Sequence, residues 1–277
     1  MEKVSVIGNN YVGGLIGYVD EGATVNNCYC TGNIDGNSGI GGLAGHNKGL
    51  ITNSYSSGSV SGSDDIIGGL VGCNEGGGTI DTSYSNSDVS GDGGVGGLVG
   101  VNGGKEEEHG AIRKSYSTGS VSGDENVGGL VGDNGDGNVA DSYYDINTSG
   151  CSDTGKGEPK TTAEMTHQAT FVGWDFSSIW KIEEGKSYPC FMWQASPCPP
   201  VPDLPAIILF GAGLLVIVYA VARRVFAKMK PREWVNEHRK ELRKEFVEKT
   251  VLVCEDRVMN VFEGPVNPLR RRSEENL

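Results

Sequence analysis

The chain is poor in the residues that carry catalysis. Only four histidines occur in 277 residues, at positions 46, 109, 167 and 238, and none sits in a His-Glu-x-x-His zinc motif. There is no Gly-x-Ser-x-Gly elbow and no phosphate-binding Walker loop. The seven cysteines (28, 30, 73, 151, 190, 198 and 254) are odd in number and contain no Cys-x-x-Cys pair. Most of them read as serine-like replacements, and they do not fix a redox compartment. Ten prolines are too few for a proline-rich stalk. Positive charge is scarce where most of the chain lies: residues 1–203 hold 9 Lys+Arg against 26 Asp+Glu, whereas residues 223–277 hold 14 against 10. Phosphate binding needs a basic surface, so nucleic acid is not an expected partner.

Glycine is what the chain has in excess. Its 44 residues are about 16 per cent of the chain, against a usual ~7 per cent. They fall into a repeat. A Gly-Gly-Leu-x-Gly core recurs as Gly13–Gly17, Gly41–Gly45, Gly68–Gly72, Gly96–Gly100 and Gly128–Gly132. A second block follows each core: Val25-Asn-Asn-Cys-Tyr29, Ile51-Thr-Asn-Ser-Tyr55, Ile80-Asp-Thr-Ser-Tyr84, Ile112-Arg-Lys-Ser-Tyr116 and Val139-Ala-Asp-Ser-Tyr143. A third, ending Val-Ser-Gly or Ile-Asp-Gly, precedes the next core. Core starts lie 28, 27, 28 and 32 residues apart. The larger variation falls between the core and the tyrosine block, where the longest instance carries Lys105–His109. Loops therefore leave at one corner of a stacked scaffold.

No run in this region has helical periodicity, and β-branched residues dominate the apolar positions. Each repeat offers three short extended runs separated by Gly, Asn, Ser and Asp, and one repeat alone cannot bury its few apolar side chains. Stacking at ~4.8 Å turns each apolar position into a ladder. The expected ladders are Leu15/Leu43/Leu70/Leu98/Leu130 and Tyr29/Tyr55/Tyr84/Tyr116/Tyr143, with glycine beside each leucine permitting a tight corner. Asn47, Asn74, Asn102 and Asn134 form a polar ladder whose amides could bond one another or hold left-handed turns. The fold class is thus all-β, a parallel β-solenoid of about five coils over residues 1–150.

The pattern Val-Gly-Gly-Leu-Val-Gly-x-Asn followed by Ile-x-x-Ser-Tyr-Ser-Thr-Gly-x-Val-x-Gly resembles the GLUG repeat family, most closely at residues 113–132. The likeness runs from residue 4 to about 193. It implies a bacterial or archaeal surface protein of the kind that includes adhesins and accessory regions of IgA-cleaving metallopeptidases. The peptidase motif itself is not encoded. Residues 4–8 align with the third block of a repeat, without a basic and apolar leader before them. A truncated or misassigned start is therefore expected.

From Gly150 the repeat gives way to aromatics. Residues 151–195 read as a cap for the solenoid: Thr161–Glu164 is a capping box for a short helix through about Gln168. Phe171, Trp174, Phe176, Trp180, Tyr188, Phe191 and Trp193 then form an apolar plug over the last coil, or alternatively an aromatic platform for a glycan or partner. A similar element closes other arrays of the family. Residues 196–203 are a stiff proline-rich linker. Leu204–Ala222 is an uncharged run of 19 residues, long enough for one transmembrane α-helix. Arg223, Arg224, Lys228, Lys230 and Arg232 follow it, so the positive-inside rule puts the solenoid outside and the basic tail, residues 223–277, in the cytoplasm. The tail is expected to be partly helical, from Pro231 to Thr250, and could contact anionic lipid. Val201-Pro-Asp-Leu-Pro205 with the apolar run and basic cluster resembles C-terminal sorting anchors. Those end soon after the basic cluster, whereas about fifty residues follow here.

The expected function is a non-enzymatic, membrane-anchored cell-surface protein with an adhesive or envelope-structural role, whose partners are the membrane and possible surface glycans or other envelope proteins. The alternative is a β-helix polysaccharide-binding module or polysaccharide-degrading enzyme, which would need clustered carboxylates. No catalytic residue or cofactor is expected. The one candidate metal site is a Ca²⁺-binding column of turn carboxylates, Asp64, Asp92 and Asp124. Solvated turn carboxylates are the plainer account of the same residues.

Overall fold

The structure is a computed structural model. It describes residues 4–103, 109–153, 156–195, 198, 199 and 201, together with the backbone of 249–254 and 257–263. The chain divides into two units, residues 1–201 and 202–277. The first is a parallel β-solenoid of about five coils. A repeat makes four strands rather than three, because the Gly-Gly-Leu-x-Gly core breaks into two at its own corner; in the repeat from Tyr116 the tyrosine strand is itself split into Tyr116–Ser117 and Val121–Ser122. In the second coil these strands are Tyr29–Gly36, Ser38–Gly41, Ala44–Asn47 and Leu50–Thr52.

The glycine pair forces that break. A Cβ on Gly42 would stand 2.2 Å from the Gly69 carbonyl oxygen and 2.8 Å from Ser56 Cβ, so nothing larger than hydrogen fits. The leucine that follows turns inward and its amide continues the stack. Leu43 N donates to Leu70 O at 2.9 Å, and Leu70 and Leu98 repeat the bond at 2.8 Å to the next coil. Leu43, Leu70, Leu98 and Leu130 are fully buried, but Leu15 in the first coil is 51% exposed because no described coil precedes it.

The register is one coil per repeat throughout. Tyr29 pairs Tyr55, Tyr55 pairs Tyr84, Tyr84 pairs Tyr116 and Tyr116 pairs Tyr143. As rings, the first four stack nearly parallel with centroids 5.1, 4.9 and 4.9 Å apart. Tyr143 keeps the backbone register, but its ring meets Phe171 edge-on at 5.4 Å. The asparagine ladder is also formed. Asn47 Nδ2 donates to Asn74 Oδ1 and Asn74 Nδ2 to Asn102 Oδ1, both at 2.7 Å, and Asn102 Nδ2 to Asn134 Oδ1 at 2.9 Å.

A second polar column, made by the residue before each tyrosine, fixes the corner that leads into the tyrosine strand. Cys28 N donates to Ser54 Oγ at 3.1 Å, Ser54 N to Ser83 Oγ at 3.2 Å, Ser83 N to Ser115 Oγ at 3.1 Å and Ser115 N to Ser142 Oγ at 3.2 Å. Each serine hydroxyl in turn donates to the carbonyl two residues earlier, as Ser54 Oγ does to Thr52 O at 2.7 Å. Every N–H at a tight, buried corner thus finds an acceptor. Cys28 stands in this serine column and Cys30 pairs Ser56, so these two are serine-like replacements.

The aromatic segment does not sit where a terminal plug would. The last coil is closed by residues 144–153 and 156–160: Tyr144 is buried in the core, packed so tightly that a Cβ on Gly129 would lie 2.0 Å from its ring. Lys156 Nζ donates to Gly132 O at 2.5 Å, and the strand Glu158–Lys160 pairs Tyr143–Asp145. Residues 161–195 instead lie along the outer face of the tyrosine ladder. Met165, Phe171, Trp174, Trp180, Tyr188 and Phe191 form one buried cluster with Tyr55, Tyr84, Tyr116 and Tyr143. The reason is the ladder itself, since a column of outward tyrosines is a larger apolar surface than the cross-section of one coil.

This side clamp begins with the expected capping box: Glu164 N donates to Thr161 Oγ1 at 3.2 Å and Thr161 N to Glu164 Oε2 at 2.7 Å. Its helix is short, Thr162–Met165, and a 3₁₀ turn, Gln168–Thr170, follows. The clamp ends in a disulfide between Cys190 and Cys198, a pair that the serine-like reading of the cysteines missed. Cys198 is buried, and Val201 N donates to Lys186 O at 3.3 Å, so these two residues of the proline-rich segment fold back onto the clamp.

The expected transmembrane run, Leu204–Ala222, lies outside the described residues, as do residues 104–108 of the longest loop. Among the described residues no helix is long and apolar enough to cross a membrane. In the second unit, Lys249–Cys254 pairs antiparallel with Arg257–Glu263. The last two residues of the expected tail helix, Lys249 and Thr250, are therefore in a strand, in keeping with the β-branched Thr250, Val251 and Val253. The rest of that helix lies outside the described residues.

Candidate functional site

The carboxylate column is aligned along the backbone. Asp64 N donates to Asn37 O at 3.1 Å, Asp92 N to Asp64 O at 3.3 Å and Asp124 N to Asp92 O at 2.8 Å. All three side chains are exposed. Their oxygens do not gather as a metal-ligand group: among the described residues, three or more potential ligand atoms come within 4.8 Å of one another at a different place, His46, Cys73 and Glu75.

That second place arises from the strand after the leucine corner. Tyr18 pairs His46, His46 pairs Cys73, Cys73 pairs Val101 and Val101 pairs Asp133. Where the tyrosine column holds one residue type, this column holds five. The imidazole is sandwiched by aromatics, with Tyr18 stacked at 4.4 Å and Tyr11 edge-on at 5.6 Å. His46 is 4% exposed and Cys73 6%. His46 Nε2 lies 3.0 Å from Glu75 Oε1, and Lys48 Nζ lies 4.0 Å from the same oxygen. His46 Nδ1 is buried with no hydrogen-bond partner. Burial first, and the neighbouring Glu75 charge second, push the Cys73 thiol up to about 12. Glu75 keeps partial solvent access. Sequence spacing could not reveal this group, because His46 and Cys73 meet only through the coil-to-coil register.

The tyrosine face is a structural site. Tyr84 OH donates to Gln194 Oε1 at 2.9 Å, Tyr116 OH donates to Pro189 O, and Tyr188 OH donates to the buried Asp145 Oδ2 at 2.7 Å. Burial raises the phenols of Tyr84, Tyr116 and Tyr188 above their ordinary value. The clamp does not cover the whole stack. Tyr29 and Trp193 are 41% and 42% exposed, with ring centroids 6.2 Å apart.

Comparison with known proteins agrees with the repeat. The family described as "The GLUG motif" matches residues 8–35, 36–61 and 91–122, so GLUG motif repeats are present. A protein of Evansella cellulosilytica named "Putative Gly-rich membrane protein" is 36% identical over 146 residues, which is 50% of this chain and 13% of that relative. The chain therefore spans a small part of the length of this much longer protein.

Proposed function

We propose that the protein is a non-enzymatic, membrane-anchored surface protein whose solenoid is displayed outside the cell in an adhesive or envelope-structural role. The reading is carried by the asymmetry around residues 196–232. Before it stands an acidic solenoid whose clamp is fastened by the Cys190–Cys198 disulfide, a bond at home in oxidising compartments. After it come the uncharged run Leu204–Ala222 and a basic cluster, the order expected of a span with its C-terminus inside. The name of the Evansella cellulosilytica relative supports membrane association. Variable loops project from a scaffold whose inner positions are given to stacking, which suits display better than turnover.

Protease added to intact cells should remove a tag at residue 1 and spare a tag at residue 277. Protection of both tags would place the solenoid inside and end this reading. A glycan-binding or glycan-degrading role is the second reading, favoured by the exposed Tyr29 and Trp193 pair, since an uncovered aromatic patch marks an interaction surface. A glycan-binding screen run with a hydrolysis assay separates the two.

A further inference from the structure

We propose that His46, Cys73 and Glu75 form a binding site for a single divalent zinc-like ion, bridging the second and third coils. An imidazole nitrogen, a thiol sulfur and a carboxylate oxygen already lie within 4.8 Å of one another, and these three ligand types suit a borderline-soft ion such as Zn²⁺ rather than Ca²⁺ or Mg²⁺. Two of the three side chains are almost fully buried and the third is partly open. That arrangement holds ligands in place while leaving an entry path.

Three protein ligands leave a fourth tetrahedral position for water or an external donor. The ion accepts electron pairs from His46 Nε2, Cys73 Sγ and Glu75 Oε1, the Cys73 S–H bond breaks, and its proton goes to solvent. The imidazole proton moves from the Nε2 side to Nδ1.

His46 Nδ1 is buried and unpartnered, so the proton that metal binding places there finds no acceptor, which lowers the affinity. One further observation points to a ligand. The column departs from the rule that governs its neighbours. Leucine and tyrosine stack on their own kind in every coil, and asparagine and serine in every coil after the first, whereas here histidine stands on cysteine with a carboxylate two residues further on. A second opposing influence is Lys48, whose ammonium lies 4.0 Å from Glu75 Oε1 and must swing aside or lower the affinity. The site is independent of the membrane reading above.

The column itself supplies fold-compatible variants. Tyr18 and Val101 occupy the same position in adjacent coils, so His46→Tyr and Cys73→Val keep residues the register already accepts, and Glu75→Gln keeps size. The full chain, stripped with chelator and with its disulfide intact, is titrated with Zn²⁺ by calorimetry and with Co²⁺ by absorption spectroscopy. One equivalent should bind, and Co²⁺ should give thiolate-to-metal charge-transfer absorption. Cys73→Val should abolish that absorption, while His46→Tyr and Glu75→Gln each weaken Zn²⁺ binding at least tenfold with unchanged circular dichroism. Charge-transfer absorption that survives Cys73→Val, or wild-type protein that fails to bind Zn²⁺ saturably, would overturn the assignment. If a variant at His46 or Cys73 unfolds, Glu75→Gln alone decides, because its side chain is partly solvent-exposed.

Discussion

The solenoid and its side clamp bury their side chains in opposite ways. Inside the solenoid each residue is held by its equivalent one coil away: Asn74 by Asn47 and Asn102, Leu70 by Leu43 and Leu98. In the clamp no contact repeats. Trp180 occurs once and meets two ladder tyrosines, Tyr84 and Tyr116, together with Trp174 and Phe191, at centroid distances from 4.5 to 6.1 Å. A ladder is a sum of nearest-neighbour terms. The clamp is a single long-range element that ties several coils together, and its loss should be felt by all of them at once.

The largest effect separating the two is alkaline. Tyr84 and Tyr116 under the clamp and Tyr188 within it have phenols raised by burial. Below about pH 10 these groups are protonated in both folded and unfolded chains and do not bear on stability. Above it the unfolded phenols ionise first, so the unfolded state binds fewer protons and stability falls with rising pH. Each group contributes ~1.4 kcal/mol per pH unit, so three give about 4 kcal/mol per unit. Denaturant midpoints measured at stepped pH above 10 should fall at least this steeply, because burial also raises Tyr144 and Cys73, and Tyr84→Phe should reduce the slope by ~1.4 kcal/mol per unit. An unchanged slope in Tyr84→Phe would mean that this phenol is not shielded as the clamp requires.

The ladder gives a smaller and more local response. Asn74→Ala strands Asn102 Oδ1 and removes the shortest of the Asn47 Nδ2 bonds, while the Gly78 carbonyl keeps the Ala111 N–H. With one unsatisfied buried group at about 1–3 kcal/mol, the net cost should be roughly 2 kcal/mol. Asn134→Ala, at the less buried end of the same column, should cost about 1 kcal/mol. Equal costs at the two positions, read by urea denaturation, would contradict the nearest-neighbour account.

How much could be read in advance follows the same division. The tyrosine, leucine and asparagine columns were legible because a block that recurs four or five times along the chain states its own register. The serine column was legible only as a tyrosine-block letter, since its work, receiving the next coil's N–H, appears only in three dimensions. The four-strand coil was missed because two glycines look the same in an extended run and at a corner. The landing place of the clamp could not be read, because Phe171, Trp174 and Trp180 occur once and their aromaticity fits a terminal plug equally well. The disulfide and the His46/Cys73/Glu75 group were hidden for a related reason: each depends on which unlike residues are brought together.

The smallest effect tests the corner at which each coil turns into its tyrosine strand. Asn27, Asn53, Thr82, Lys114 and Asp141 occupy it in successive coils, with φ of 54°, 47°, 49°, 44° and 47°. All five are in the left-handed region, which costs most L-residues roughly 1–2 kcal/mol but suits asparagine and aspartate, whose short polar side chains bond locally. The first two coils and the last use those residues; the third and fourth do not. At Lys114 the backbone N–H donates to Ala140 O at 3.2 Å, a bond that any non-proline residue preserves. Lys114→Asn should therefore stabilise by about 0.5 kcal/mol, part of the strain being relieved. The reverse change, Asn53→Val, puts a β-branched side chain at φ 47° and breaks the Asn53 Nδ2 to Asn26 Oδ1 bond of 3.1 Å. It should cost roughly 2 kcal/mol. Both are measured as shifts in urea midpoint at unchanged m-value, so that the denatured state is held constant. A neutral Asn53→Val would mean that the corner is set by the serine ladder alone and that the left-handed column only follows it.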